Sequence, residues 1–208
     1  MLRFEQVVVR YGGVVAVDGV DAHVLPGEFV VLTGSNGSGK SSLGRAALGL
    51  VRLAEGAVTV QGRAAVSAAD WRRRRREVAY VPQRTAVGSF PLQVDDLLAS
   101  GGDHAGARAA AVRLGIADLG RRALHTLSGG QLQRAYLARA IGAIGAGACA
   151  LIADEPTSAL DFDGQDHVAA LLADLPVARL VVSHDAAVVA RADRVLEMAG
   201  GRLRERAA

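Results

Sequence analysis

The sequence is short of lysine, cysteine and long apolar runs, and each shortage limits the interpretation. Its 208 residues include 24 basic side chains, of which Lys40 is the one lysine and the rest are arginine. The net charge of +3 is too small to indicate a nucleic-acid partner, so we interpret the arginine bias as a compositional habit. Cys149 is the one cysteine. An internal disulfide is therefore excluded, and the apolar neighbours of Cys149 predict a small buried side chain.

No uncharged run is long enough to cross a membrane. The longest lies between Arg139 and Asp154, and a spanning helix needs about 20 apolar residues. Arg3 and Glu5 interrupt the N-terminus before the apolar core of a signal peptide could form. We therefore expect a cytoplasmic chain that lies on the inner face of the cell membrane only through a partner.

The densest basic cluster, residues 72–76, is predicted to be a solvated face; phosphate or lipid contact is the alternative.

Strand and helix patterns alternate along the chain. The valine-rich residues 1–24 predict short antiparallel strands, and the apolar run at residues 29–32 predicts a buried parallel strand. Alanine, leucine and arginine at helical spacing predict a helical subdomain over residues 84–127. Strands alternating with helices indicate a parallel α/β core. The tail after Gly201 is predicted to fray.

A glycine-rich loop follows the buried strand directly and precedes a helical pattern over residues 41–50. It matches the phosphate-binding pattern G-x-x-x-x-G-K-[ST]. Glycines let the backbone wrap around phosphate oxygens, a lysine can reach the terminal phosphates, and a serine hydroxyl can bind Mg²⁺. The one lysine of the chain occupies the position that this chemistry needs. The residues predicted to bind ATP here are Gly34, Ser35, Asn36, Gly37, Ser38, Gly39, Lys40, Ser41 and Ser42.

Two acidic residues end another apolar strand. Asp154 and Glu155 follow the run at residues 150–153, and in a P-loop protein the neighbouring strand brings an aspartate to Mg²⁺. Asp154 is therefore predicted to be a metal ligand. Glu155 is predicted to be the general base that deprotonates the attacking water. His184 follows a third apolar strand and is expected to lie beside the phosphates.

The run Leu127-Ser128-Gly129-Gly130-Gln131 resembles, without a mismatch, the signature of the ABC (ATP-binding cassette) transporter ATP-binding subunits. The resemblance extends over nearly the whole chain. It implies the fold class of an ABC ATPase: α/β, with a P-loop NTPase core of mainly parallel strands, an N-terminal antiparallel β-subdomain and an inserted helical subdomain. It places one domain over residues 1–208, with the nucleotide-binding core at 1–83 and 128–208 and the helical subdomain at 84–127.

The resemblance also implies roles for individual residues. Gln83 resembles the glutamine that contacts Mg²⁺, which gives Ser41, Gln83 and Asp154 as metal ligands. Glu155, His184, Lys40 and Gln83 become the catalytic set. Tyr11 resembles the aromatic residue that stacks on adenine. The signature residues, which cap the ATP of a second subunit in this family, are Ser128, Gly129, Gly130 and Gln131.

The implied partners are a second ATP-binding subunit and transmembrane permease subunits. The permease is expected to contact the region from Gln83 to Asp103, with no nucleic acid bound and no direct contact between this chain and the cargo. The segment from Tyr80 to Val94 resembles the ATPases of zinc, manganese or iron importers. The resemblance is in two runs, residues 80–84 and residues 90–94. Import of a metal ion such as zinc or manganese is therefore the expected function.

Three alternatives remain at this point. The first is an ABC ATPase that drives transport of a different substrate. The second is a non-transport ABC ATPase of DNA repair or translation, which would be expected to carry coiled-coil insertions or paired cassettes. The third, a P-loop GTPase or small-molecule kinase, is disfavoured because N-K-x-D needs a second lysine and a kinase has no use for the signature run.

Overall fold

The computed structural model describes residues 1–83 and 91–205. These residues form two β-sheets with helices packed around them. The strands are β1 (Leu2–Tyr11), β2 (Val14–Val24), β3 (Phe29–Thr33), β4 (Glu55–Val60), β5 (Arg63–Ala64), β6 (Val78–Val81), β7 (Ala150–Asp154), β8 (Ala178–Val182), β9 (Arg194–Ala199) and β10 (Arg202–Glu205). The α-helices are α1 (Lys40–Ala47), α2 (Ala68–Glu77), α3 (Val94–Ala99), α4 (His104–Arg113), α5 (Gly129–Gly145), α6 (Phe162–Ala173) and α7 (Ala186–Val189).

The smaller sheet is antiparallel and has the strand order β2-β1-β4-β5. It confirms the strands predicted from the N-terminal valine pattern. Val7, Val9, Val17 and Val20 are buried at 0–2% exposure, and all four belong to the apolar cluster between this sheet and the rest of the molecule. Register shifts interrupt the β1–β2 pairing near Gln6, whose φ is +46°. Such irregularities bend a strand and raise its twist.

The larger sheet has the order β10-β9-β3-β8-β7-β6 and is parallel from β9 to β6. All five residues of both β7 and β8 are buried, as expected for strands covered on both faces. The predicted fold class is confirmed. The prediction that the tail frays is wrong for residues 202–205, which pair antiparallel with β9 through a turn at Gly200 and Gly201.

Helices α3, α4 and α5 pack together on one face of the larger sheet. Their apolar cluster includes Leu97, Leu98 and Ala110, and it continues to Leu151 in β7. A second apolar cluster fills the space between the two sheets and α1. Within residues 91–127, the described part of the predicted helical subdomain, the structure has the helices α3 and α4 and two 3₁₀ turns, at Ala117–Leu119 and Leu124–Thr126. Its first residues, 84–90, lie outside the described part of the chain.

The arginine run lies on α2, where one arginine departs from the expected solvated face. Arg74 is 1% exposed and donates hydrogen bonds to three carbonyls, those of Ala47 at 3.0 Å, Val58 at 3.2 Å and Arg63 at 2.8 Å. Its guanidinium also lies 5.8 Å from the ring centroid of Trp71. Arg74 thus connects α2 to the C-terminal end of α1, while its neighbours in the run are exposed.

Two smaller expectations change with the structure. Cys149 is half-buried and not fully buried, and its Sγ contacts the Glu77 carbonyl at 3.4 Å. Helix α1 ends at Ala47, three residues before the predicted end, because the chain turns at Gly49 with φ +68°. Among residues 1–83 and 91–205, none of the helices has the length and apolar character needed to cross a membrane.

Candidate functional site

The predicted catalytic and phosphate-binding residues meet at one edge of the larger sheet. The loop after β3, the end of β7 and the residues after β6 all reach the same cavity of about 320 Å³. Parallel strands place their carboxyl ends together, and ligands bind at that edge in open α/β sheets. The cavity is lined by Ala16, Asn36, Gly37, Gly39, Lys40, Ser41, Ser42, Gln83, Asp154, Glu155 and Val182.

Two glycines of the loop are required by close backbone contacts. A Cβ on Gly34 would lie 2.1 Å from the Met198 carbonyl oxygen, and one on Gly39 would lie 2.1 Å from the Ala16 carbonyl oxygen. Both also have left-handed φ angles, +139° and +107°, which only glycine adopts readily. Gly39 immediately precedes the first residue of α1. The loop therefore wraps tightly against β2 and β9, with its amides next to the positive end of a helix.

Lys40 is 8% exposed, and its Nζ donates to the carbonyls of Gly34 at 2.7 Å and Ser35 at 2.8 Å. These bonds hold the ammonium inside the ring formed by the loop. Ser38 Oγ is buried and finds no hydrogen-bond partner within the described residues. A buried hydroxyl without a partner costs free energy, about 1–3 kcal/mol. A ligand with oxygen acceptors, such as a phosphate, would satisfy it.

Asp154 is 3% exposed at the end of β7. Its Oδ1 accepts a hydrogen bond from Ser41 Oγ at 3.2 Å, whereas Oδ2 is buried without a partner in the part of the chain described here. Burial raises the pKa of this carboxyl, and the Ser41 hydrogen bond, Arg45 and Lys40 oppose the rise. A free carboxylate oxygen beside a serine hydroxyl is an oxygen donor set that suits Mg²⁺. Gln83 lines the same cavity and could add its side-chain oxygen.

Glu155 follows Asp154 with a φ of +51°, a left-handed conformation that costs a non-glycine residue about 1–3 kcal/mol. Its amide donates to the Val182 carbonyl at 2.8 Å. Its Oε1 lies 3.0 Å from His184 Nδ1. The Glu155 side chain is 11% exposed and that of His184 is 81% exposed. The structure thus brings the predicted base and the predicted histidine into direct contact, although His184 lines a neighbouring cavity of about 430 Å³ that shares Glu155 with the phosphate cavity.

Tyr11, at the end of β1, lies beside this cavity without lining it. Its side chain is half exposed, and its hydroxyl is 3.3 Å from Ser42 Oγ. The hydroxyl end of this partly exposed ring therefore lies next to the residue that follows the phosphate loop. Ala16 lines the cavity and was missed in the sequence, because an alanine within a strand carries no chemical signal.

The signature residues form a separate cavity of about 500 Å³ on another part of the surface. Ser128 caps α5 by accepting from the Gln131 amide, and the Gln131 side chain accepts from the Ser128 amide. A Cβ on Gly130 would lie 2.8 Å from the Ala159 carbonyl oxygen. Across the described residues, the two cavities share no lining residue. One copy of the chain therefore presents two distinct candidate phosphate sites, each at the N-terminus of a helix.

Comparisons with known proteins identify relatives of this chain. The model of the family described as "ABC transporter" matches residues 17–158, more than half of the chain. The zinc import ATP-binding protein ZnuC of Alcanivorax borkumensis is 37% identical over 94% of this chain and 74% of its own length. The hemin import ATP-binding protein HmuV of Rhodopseudomonas palustris strain CGA009 is 37% identical over 92% of this chain and 76% of its own length.

A solved dimer of a bacterial ABC transporter cassette has the same fold. It superposes with a TM-score of 0.90 at 24% sequence identity, covering 99% of this chain and 98% of the solved chain. At that identity the likeness shows the fold alone.

Proposed function

The chain belongs to the ABC transporter family and is an ATPase of that family, and we propose that it powers import of a metal ion such as zinc or manganese. The meeting of Lys40, Ser41, Asp154 and Glu155 around one cavity carries the ATP-hydrolysing part of this proposal. Those side chains supply a phosphate ligand, two metal ligands and a base. The curated relatives named for zinc and hemin import support an import role.

In the proposed reaction, the amides of the phosphate loop and Lys40 bind the triphosphate. Ser41, Asp154 and Gln83 would hold Mg²⁺, which would neutralise charge on the phosphate oxygens. Glu155 accepts the proton of the attacking water, and His184 holds the Glu155 carboxylate through the 3.0 Å contact. Tyr11 stacks on the adenine ring. The remaining phosphate-loop residues, including Asn36 and Ser42, orient the nucleotide.

We propose that the active form is a head-to-tail pair. Each copy offers a phosphate loop in one cavity and a signature in another, so a second copy can complete both sites. Ser128, Gly129, Gly130 and Gln131 would then bind the ATP held by the partner's phosphate loop. ATP would join the two subunits, and loss of the γ-phosphate would release them.

The chain would reach the membrane through permease subunits. We propose that they contact the region from Gln83 to Asp103, of which the structure describes Gln83 and residues 91–103. The subdomain limits, 84–127 within a core of 1–83 and 128–208, are part of the same proposal, and so is a position on the inner face of the cell membrane. Neither nucleic acid nor the cargo would touch this chain.

The cargo has two candidates of different chemistry. The zinc and hemin relatives are equally similar, at 37% identity each, so hemin is the second candidate. The segment that resembles metal-importer ATPases includes Arg84 and Phe90, which lie outside the described residues. Uptake of labelled zinc, manganese and hemin into vesicles containing the whole transporter would distinguish these cargoes, and uptake of none would contradict the proposed substrate class.

The hydrolytic role is tested with the purified chain, Mg²⁺ and ATP. We expect Glu155→Gln to lower phosphate release by about 10²–10⁴-fold, the usual loss when a general base is removed. The same variant should form an ATP-dependent dimer in size-exclusion chromatography with light scattering. Glu197→Gln makes the same substitution at an exposed residue of β9 and should leave hydrolysis unchanged. Near-normal hydrolysis by Glu155→Gln would place the base elsewhere.

A further inference from the structure

Gln133 is a buried polar side chain on a helix whose other buried side chains are apolar. It is 6% exposed, and the buried side chains after it on α5 belong to Ala135, Leu137, Ala138 and Ala140. Buried amides are costly unless they are hydrogen-bonded, so a glutamine here calls for a structural reason. The roles proposed above make no use of it.

The Gln133 side chain reaches two loops that lead to the ATP cavity. Its Nε2 lies 3.4 Å from the Pro82 carbonyl oxygen and 3.5 Å from the Glu155 carbonyl oxygen. Pro82 directly precedes Gln83, and both Gln83 and Glu155 line that cavity. One amide group therefore connects α5 to the backbone on either side of the site.

The Glu155 contact matters because the backbone of Glu155 is left-handed, with φ +51°. A residue keeps such a conformation only where its surroundings hold it. The Glu155 amide is bound to the Val182 carbonyl. The Glu155 carbonyl accepts from the Ser158 amide at 3.3 Å and from Ser158 Oγ at 3.1 Å. Gln133 supplies a further donor to this carbonyl, and it comes from a different helix.

We propose that Gln133 is a positioning residue for ATP hydrolysis, which holds the Glu155 peptide so that the carboxylate stays aimed at the attacking water. This inference rests on the proposed role of Glu155 as base. The same helix begins at the signature, with Ser128 as its N-terminal cap. The amide of Gln133 therefore also links the helix that would contact the partner's ATP to the catalytic loop of its own site.

The test replaces Gln133 with methionine, which has a similar length and no hydrogen-bond donor. For Gln133→Met we expect kcat to fall about 10-fold while KM for ATP stays within about 2-fold, because positioning acts on the chemical step and not on binding. In the Glu155→Gln background, the added Gln133→Met change should leave the ATP-dependent dimer intact. Gln133→Glu, which exchanges the donor for an acceptor facing two carbonyls, should lower kcat at least as much.

The control is Arg139→Met on the same helix, which removes the 2.9 Å hydrogen bond from Arg139 Nε to Ser100 Oγ. It should keep the wild-type kcat at a temperature below the melting midpoint of every variant. The inference is overturned if kcat of Gln133→Met stays near wild type, if KM rises as kcat falls, or if Arg139→Met loses kcat equally. Normal hydrolysis by Glu155→Gln would instead contradict the proposed function, so the two failures are distinguishable.

Discussion

At the scale of single residues, Asp154 keeps a carboxylate oxygen buried without a hydrogen-bond partner among the described residues. Burial raises the pKa of this carboxyl, so the folded chain holds its proton more tightly than the unfolded chain does. The associated stability is present below about pH 4 and is lost as the pH rises through the raised pKa. Ionised Asp154 therefore lowers the free energy of unfolding of the nucleotide-free chain, at the position where we propose a Mg²⁺ ligand.

Asp154→Asn should consequently stabilise the nucleotide-free chain at neutral pH while abolishing Mg²⁺-dependent hydrolysis. A gain on the order of 1 kcal/mol would raise the melting midpoint by about 2–4 °C in a chain of this size. Differential scanning calorimetry with a chelator present measures it. Asp118→Asn, at an exposed position, should change neither the midpoint nor hydrolysis. A lower midpoint for Asp154→Asn would show that the carboxylate is stabilising in the empty site.

A substitution at Tyr11 can separate binding of the adenine ring of ATP from binding of its phosphates. Its exposed ring lies beside the phosphate loop, and stacking of a base on an aromatic side chain contributes about 1–3 kcal/mol. Tyr11→Ala should therefore weaken ATP binding by about 5- to 150-fold in a fluorescent-nucleotide titration. Tyr11→Phe, which keeps the ring, should bind within about 2-fold of wild type.

Inorganic tripolyphosphate is the control ligand for Tyr11→Ala, since it has the three phosphates of ATP and no adenine. Its affinity should not change in the variant. Equal losses for ATP and tripolyphosphate would mean that Tyr11 acts on the loop through Ser42 and not on adenine.

At the scale of secondary-structure elements, the sequence indicated most strands because short valine-rich runs and glycine turns are local signals. It could not show that Arg74 is buried. A run of five arginines has no apolar stripe, so nothing in the pattern marks which side of α2 faces inward. The pairing of β10 with β9 was also missed, because it depends on an edge that exists only in the assembled sheet. The phosphate loop and the acidic strand end were predictable because their chemistry depends on adjacent residues.

The prediction at the scale of secondary-structure elements concerns Arg74. Arg74→Met would leave three carbonyls without this donor, and each acceptor left unsatisfied costs about 1–3 kcal/mol, so that the total is at least about 3 kcal/mol. We expect the melting midpoint to fall by roughly 6–15 °C. Arg72→Met, at an exposed site on the same helix, should shift it little. Equal midpoints for the two variants would show that α2 docks without the Arg74 contacts.

At the scale of the whole molecule, no local pattern tells how far the signature lies from the phosphate loop. Lys40 begins α1 and Ser128 directly precedes α5, each beside glycines. The sequence alone gives no reason to place the two residues in different sites. The fold places them in separate cavities. The two cavities share no lining residue within the described part of the chain, which is consistent with our proposal that a second copy completes each site.

Mixing two inactive variants tests whether the sites are completed in trans. Lys40→Ala removes the phosphate ligand, and Ser128→Arg fills the signature cavity, so each variant alone should release little phosphate. In a mixed dimer, the intact phosphate loop of one subunit meets the intact signature of the other. The added arginine faces a loop that holds no nucleotide. Equal amounts should recover up to about one quarter of wild-type activity, since about half of the dimers are mixed and each has one intact site. No recovery, with mixed dimers demonstrated by differently tagged subunits, would mean that loop and signature act within one chain.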